Sequence, residues 1–332
     1  MSLGPFLVFI EFMKAVVVEK FGGPEVLTIK DIAIPTPGPG EVLVKVHACG
    51  VNPVDTYIRS GTHAEKPSLP YTPGKDAAGF VENIGPNVDS VKPGDRVYIA
   101  GSKTGTYAEF CVCDTSQVQA LPEGISFEQG AGIFVPYATA YRALFQKAKV
   151  ESGETVLVHG ASGAVGIAAV QWAKKFGLKV FGTAGTADGA DLVMRTGADR
   201  VFNHSDPNYF SEIVDASGGH GVDVILEMLA NVNLVKDFEV LAKSGRIVVI
   251  GSRGSIEFPP RLVMGKDASI LGMALFNAEQ QDMAEIFSAI SHGLTEGFLA
   301  PVVGKAFPLE EAAEAHRSVI EAKAFGKTVL KV

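Results

Sequence analysis

A glycine-rich turn, Gly160-Ala161-Ser162-Gly163-Ala164-Val165-Gly166, directly follows the apolar run Thr155-Val156-Leu157-Val158-His159 and directly opens a stretch with helical spacing, Ile167 to Phe176. Few sequence features restrict a fold as tightly. Glycines let a backbone turn sharply and approach another group closely. A helix N-terminus just beyond supplies unsatisfied N–H groups and a favourable dipole to an anion. A strand, this turn and a helix in that order form the context required for holding a dinucleotide pyrophosphate. Ser162, Gly163, Ala164 and Val165 are expected to carry it, mostly through backbone.

The same run also fits, in part, the nucleophile elbow of a serine hydrolase, centred on Ser162. The elbow needs a glycine two residues after the serine, and Ala164 stands there. Asp223, His292 and His316 would be the triad partners, so the hydrolase stays open as a runner-up.

The rest of the chain supports an α/β reading. Up to about residue 130, β-branched runs (Lys14 to Val18, Val26 to Ile34, Glu41 to Ala48, Gly79 to Ile84) alternate with turn clusters such as Phe21-Gly22-Gly23-Pro24. These predict a small, mostly β domain. A helical spacing over Ala131 to Lys149 follows. Apolar strands then alternate with helical stretches: Val180 to Thr183, Arg200 to Phe202, Val222 to Leu226 and Arg246 to Ile250, with Ala187 to Thr196 among the helices. Near-continuous apolar strands separated by helices predict a parallel sheet covered on both faces, the Rossmann arrangement. The tail Lys327 to Lys331 is expected to return to the first domain. The expected division is 1–136 with 277–332 for the β-rich domain, and 137–276 for the doubly wound parallel-sheet domain.

Bulk properties exclude several classes. A net charge of -8 argues against nucleic-acid binding as the main task. Three cysteines, Cys49, Cys111 and Cys113, are too few for a disulfide framework and are not spaced as a four-ligand metal site. In the strand-like run Ala108 to Cys113, the last two cysteines share one face and read as small thiols beside a core. No segment reaches the ~18 apolar residues of a membrane-spanning helix. The apolar start, Met1 to Phe12, lacks a basic region and reads as a short extension. A reducing, cytoplasmic setting is expected.

In a dinucleotide-binding sheet, the end of the second strand normally carries a carboxylate for the ribose 2′-OH when NAD is bound. Here that place holds Gly182-Thr183-Ala184-Gly185-Thr186. Without a carboxylate a 2′-phosphate is not repelled, and NADP (NADPH) is the expected cofactor. No Arg or Lys follows immediately, which leaves His204 and Lys327 as candidate donors beside Gly185. His204 is equally readable as an ordinary surface loop residue. Asn233, after the fourth strand, and Gly251-Ser252-Arg253, after the fifth, lie at carboxyl ends of strands, where open sheets bind ligands.

The run Val46 to Gly61, with Asn52-Pro53-Val54-Asp55-Thr56-Tyr57, together with Tyr71-Thr72-Pro73-Gly74 and Gly221 to Leu234, resembles the zinc-free quinone oxidoreductases of the zeta-crystallin-like medium-chain dehydrogenase/reductase family. The likeness runs from about Met13 to the end. It implies a GroES-like β-rich catalytic domain beside the Rossmann domain. It also implies NADPH-dependent reduction of a quinone, with Asn52 and Tyr57 as catalytic residues and Tyr57 contacting the nicotinamide end. Met273, Ala274 and Leu275 would pass near the carboxamide. A zinc alcohol dehydrogenase of the wider family carries a cysteine where this chain has Asn52, and Gly-His-Glu where it has Gly74-Lys75-Asp76. A catalytic zinc needs about three protein ligands and a structural one four, so a zinc-independent enzyme with no metal site is expected. Lys75 and Asp76 are candidates to pair with each other. His63 stands where the family usually has a second tyrosine.

Two other functions share this cofactor site: an NADPH-dependent alkenal or enone reductase, and a non-catalytic crystallin-like protein that binds NADPH or RNA. The apolar run Ile270 to Phe276 predicts an exposed sheet edge, and the resemblance implies a homodimer or homotetramer.

Overall fold

The computed structural model describes residues 11–64 and 66–332; most of the predicted N-terminal extension therefore lies outside the described residues. The chain forms two compact units. The first runs to Ala131 and takes back Ala306–Glu321 and Thr328–Val332; the second holds Gly132–Lys305 and Ala322–Lys327. The crossings thus fall near 131, 305, 321 and 327, where the sequence division has two, at 136 and 276.

In the first unit, β1 (Phe12–Val18) pairs antiparallel with β2 (Leu27–Ala33) across the glycine-proline turn. The main sheet contains β3 (Glu41–Val51), β4 (Asp76–Ile84), β5 (Arg96–Ala100), β6 (Phe110–Asp114) and β7 (Val118–Ala120). The strand β3 lies in its middle, flanked by β4, β6 and, at its other end, the chain's last strand. Its burial follows from that place: Val42, Val44, Val46, Cys49 and Val51 all join the core. Each such side chain removed from water contributes roughly 1.5–3 kcal/mol. Cys111 and Cys113 do share a face, with Sγ atoms 3.9 Å apart, and both are buried free thiols beside that core. Burial pushes the Cys49 thiol up, away from the reactive thiolate.

The second unit carries β8 (Thr155–Val158), β9 (Lys179–Ala184), β10 (Arg200–Asn203), β11 (Val222–Glu227), β12 (Leu241–Val249) and β13 (Ser269–Gly272). All neighbours are parallel, in the order β10-β9-β8-β11-β12-β13. This is the doubly wound order 3-2-1-4-5-6, whose reversal point lies between β8 and β11. Helices Ala164–Lys175, Ala187–Thr196 and Tyr209–Ala216 connect the strands. Thr186 begins the second of these by accepting the Gly189 N–H at its hydroxyl, 3.1 Å away.

Two strands complete the chain: β14 (Val303–Pro308) and β15 (Lys327–Lys331), with β15 antiparallel to β3. Some expected elements differ in detail. The helix predicted over 131–149 is α-helical only from Phe134 to Tyr141, then widens into π turns over Arg142–Ala148 and stops at Lys149 in the left-handed region. The sheet edge predicted over 270–276 is a strand only from Ser269 to Gly272, and a 3-10 turn, Leu275–Asn277, follows. Among the described residues no helix is long and apolar enough to cross a membrane.

Candidate functional site

In the second unit, the glycine turn is tied to the neighbouring strand. The Gly160 N–H donates to Thr183 Oγ1 at 3.0 Å, and the Ala161 N–H donates to the Thr183 carbonyl at 2.9 Å. Gly160 has φ 58°, which favours glycine. A Cβ on Gly166 would lie 2.5 Å from Ala161 Cα, so only glycine lets the helix sit against the turn. Gly163 caps that helix without a side-chain bond. The first N–H groups of a helix have no acceptor within it, and here the helix opens directly out of the glycine turn, a cradle suited to a pyrophosphate.

The segment Ala322–Lys327 crosses this turn. Ser162 Oγ donates to the Ala324 carbonyl at 2.8 Å, and the Gly326 N–H donates to the Ser162 carbonyl at 2.8 Å. Ser162 is therefore held as a structural hydroxyl. The other members of the hydrolase reading are engaged elsewhere: Asp223 accepts the Thr155 N–H and meets His220, the His292 ring packs on Phe298, and His316 Nε2 meets the Tyr107 hydroxyl.

The same segment brings in a residue that the sequence reading missed. Lys323 Nζ lies 3.5 Å from the Gly185 carbonyl. A Cβ on Gly185 would stand 2.5 Å from His204 Nε2 and 3.3 Å from Lys323 Nζ. An ammonium and an imidazole thus converge on a glycine at the end of the second strand. Burial, then the Lys323 charge and His159, hold the His204 pKa below its ordinary value. A bound phosphate would reverse that repulsion and draw a proton onto the ring. Lys327, the donor proposed from sequence, is buried at the start of β15, with its N–H bonded to the Val302 carbonyl.

At the carboxyl ends of β11 and β12, Asn233 Nδ2 donates to Glu227 Oε1 at 3.2 Å. A Cβ on Gly251 would meet the Met228 carbonyl at 2.4 Å, and the Arg253 N–H donates to Asn231 Oδ1 at 2.8 Å. Ser252 Oγ donates to the Gly254 carbonyl. The two loops are thereby locked together. Past β13, Met273 and Leu275 are buried and Ala274 between them is exposed.

In the first unit, Asn52 is the N-cap of the helix Pro53–Ser60. Its N–H donates to Asp55 Oδ2 at 2.8 Å and its Nδ2 donates to Asp76 Oδ2 at 3.0 Å. Tyr57 is half-buried one turn along, and its carbonyl accepts the Thr62 and His63 N–H groups. Gly74 has φ 103°, and a Cβ there would lie 2.1 Å from Thr106 Oγ1, so the Gly74-Lys75-Asp76 turn needs its glycine. Asp55 also accepts the Tyr107 hydroxyl at 3.2 Å, and that hydroxyl lies 3.2 Å from His316 Nε2. Burial, then Arg59, depress the His316 pKa to about 3. Burial and the Asp55 charge push Tyr107 well above the ordinary phenol range. A cavity of about 590 Å³ in this unit is lined by Asp55, Ile58, Tyr71, Gly74, Lys75 and Thr104, among others; Asn52 and Tyr57 do not line it.

The positions where a zinc enzyme of the wider family has ligands hold an amide (Asn52), an ammonium (Lys75) and a carboxylate (Asp76) already engaged by that amide. This does not match the nitrogen, sulfur and carboxylate set that zinc takes. Among the described residues, the group of His, Cys, Asp or Glu side chains with metal-like spacing is His159, Glu227 and Asp237, in the core of the second unit.

A chain that holds a β-rich unit and a doubly wound parallel sheet with a glycine cradle is built as a dehydrogenase or reductase of the medium-chain type. Residues 38–143 match the alcohol dehydrogenase GroES-like domain, and residues 164–292 match the zinc-binding dehydrogenase family. A human (Homo sapiens) quinone oxidoreductase is 51% identical over 322 residues, covering 96% of this chain and 98% of that protein. A solved NAD-dependent alcohol dehydrogenase superposes with TM-score 0.89 at 34% identity, covering 96% of this chain and all (100%) of that one. The Escherichia coli quinone oxidoreductase solved with NADPH gives TM-score 0.86 at 30% identity, covering 97% and 99%. The chain belongs to the quinone oxidoreductase family of medium-chain dehydrogenases/reductases, and it is an oxidoreductase.

Proposed function

We propose that this chain reduces quinones with NADPH and needs no zinc to do so. The observation that carries the reading is the convergence of Lys323 and His204 on Gly185, where an NAD-binding sheet would place a carboxylate. A cation and a neutral imidazole with no acid between them suit a 2′-phosphate. The glycine turn and the helix after Gly163 take the pyrophosphate, and the loops at Asn233 and Gly251-Ser252-Arg253, with Met273 to Leu275, take the nicotinamide half.

When bound, the nicotinamide supplies the reducing equivalents. The chain's own contribution is placement. Asn52, fixed by Asp55 and Asp76, and Tyr57 hold the acceptor oxygen, and positioned donors stabilise the negative charge that forms on it. A Lewis acid is needed to lower the pKa of an alcohol; an electron-poor quinone accepts reducing equivalents without one. A soluble, cytoplasmic homo-oligomer is part of this proposal, with β13, the edge strand of the parallel sheet, as the surface that pairs.

The test is a fluorescence titration of chelator-treated protein with NADPH and NADH, then oxidation of the better ligand by a quinone or by an alkenal. Tighter NADPH binding with quinone-dependent oxidation is expected. NADPH binding with turnover of the alkenal alone would replace the quinone, and binding without any turnover would leave a binding protein.

A further inference from the structure

Three ionisable side chains without a part in the cofactor contacts above meet at the reversal point of the parallel sheet. His159 follows β8, Glu227 ends β11, and Asp237 opens the short helix Asp237–Val240. His159 is 3% exposed, and Glu227 and Asp237 are fully buried. His159 Nε2 lies 2.9 Å from Asp237 Oδ1 and 3.6 Å from Glu227 Oε2. Glu227 Oε1 accepts the Leu229 N–H and the Asn233 amide. Glu227 Oε2 and Asp237 Oδ2 are buried without a hydrogen-bond partner.

Two ionised carboxylates and one imidazolium leave a net negative charge in a dry core, and two bare acceptor oxygens besides. Either defect is costly. One further proton, held on the carboxylate pair, removes both: the cluster becomes neutral and an O–H joins the acceptors. Burial, with Asp237 adding to it against the pull of His159, pushes Glu227 up to about 7. Burial works to lower His159, but its hydrogen bond to Asp237 and the two nearby carboxylates outweigh it and raise the ring's pKa.

The consequence for the crevice is geometric. His159 immediately precedes Gly160, and Glu227 grips Leu229 and Asn233, so the cluster joins the root of the glycine turn to the root of the loop after β11. We infer that His159, Glu227 and Asp237 form a proton-sharing latch that fixes these two loops in register, making all three positioning residues for the dinucleotide. The inference rests on the proposed dinucleotide site. When the shared proton leaves, a buried negative charge appears beneath the turn that receives the pyrophosphate, and the ligand is repelled.

Other titratable groups face the cluster. His204 lies on the His159 side, with Lys323 next to it, and Tyr209 faces the carboxylates, with the exposed Glu239 next to it. Of these, His204 acts on a 2′-phosphate, so NADH, which has none, is the cleaner probe of the latch.

The experiment measures Kd for NADH and NADPH from pH 6 to 8.5 with wild type and Glu227→Gln. Glutamine keeps an acceptor for Leu229 and offers Asp237 Oδ2 an N–H, but it cannot lose the proton. Wild-type NADH affinity is expected to fall about three- to tenfold as pH rises through 7, the effect of one buried charge on a nearby anion. The variant is expected to lose that slope, whatever its affinity at pH 6. Equal slopes in the two proteins would overturn the latch. Absence of NADPH binding at every pH would instead sink the dinucleotide site itself. If Glu227→Gln does not fold, isotope-edited infrared spectra of the wild type decide. A protonated buried carboxyl near pH 6 that vanishes above pH 8 supports the latch, and its absence overturns it. A stoichiometric metal ion retained through chelator dialysis and released in Asp237→Asn would also overturn it.

Discussion

Replacing Lys323 with methionine tests the adenosine end of the site, because methionine keeps the side chain's length and apolar stem while removing its charge. Lys323 Nζ stands within 3.5 Å of the Gly185 carbonyl and converges with His204 on the space a Cβ at Gly185 would fill. A hydrogen bond to a charged group is worth roughly 1.5–3 kcal/mol. Lys323 is exposed, and screening by solvent and salt places the value at the low end, about 1.5 kcal/mol. That corresponds to about a tenfold loss of NADPH affinity. NADH, which offers no 2′-phosphate, should bind as before. Fluorescence titration of both cofactors at fixed ionic strength reads the ratio of the two constants. A second signature is salt: NADPH affinity of the wild type should weaken more steeply with added salt than that of Lys323→Met. Equal losses for both cofactors would mean that Lys323 supports the loop and not the phosphate. No loss for either cofactor would refute the placement of the phosphate at Gly185.

Three further outcomes follow from particular contacts. In Gly185→Asp, a carboxylate enters beside His204 and Lys323; it should repel the 2′-phosphate, accept a ribose hydroxyl, and invert the cofactor preference by about 30-fold or more, read by the same titrations. Asp55→Ala strips the acceptor from the buried Asn52 N–H and Tyr107 hydroxyl and should cost about 2–4 kcal/mol in chemical denaturation. His316 has a folded pKa of about 3 against an ordinary 6.5, so the unfolded chain binds its proton first. Its contribution is therefore present above pH 6.5 and lost as pH falls towards 3, up to roughly 5 kcal/mol. His316→Gln should flatten the acid limb of the stability profile between pH 6 and 4, and an unchanged limb would place the acid sensitivity elsewhere.

The parts of this structure that follow from local backbone demands are readable in the chain. The turn from Gly160 to Gly166 needs glycine where φ is 58° and where a helix must touch Ala161, and those needs stand in the sequence as a spacing. The parallel strands are legible for a related reason, since burial on both faces requires unbroken apolar runs. What eluded the sequence is produced by the tertiary path. Lys323 reaches Gly185 from 138 positions away and Tyr107 reaches His316 across 209; neither separation leaves a local mark. The strands Val118–Ala120 and Val303–Pro308 are short or lie at sheet edges, where little burial imprints a pattern. The Arg142–Ala148 segment has helical composition, yet its backbone widens to π turns. Asn52 caps its helix just before Pro53, a place asparagine favours by type, but its ties to Asp55 and Asp76 depend on the fold of the whole unit.

The most direct test of the proposed activity is the rate of NADPH oxidation by a simple quinone, catalysed by protein dialysed against a strong chelator and assayed with and without added zinc. The account predicts saturable, quinone-dependent oxidation that zinc leaves unchanged, with NADPH preferred over NADH. Oxidation that requires zinc, or a protein that binds neither cofactor, would contradict it.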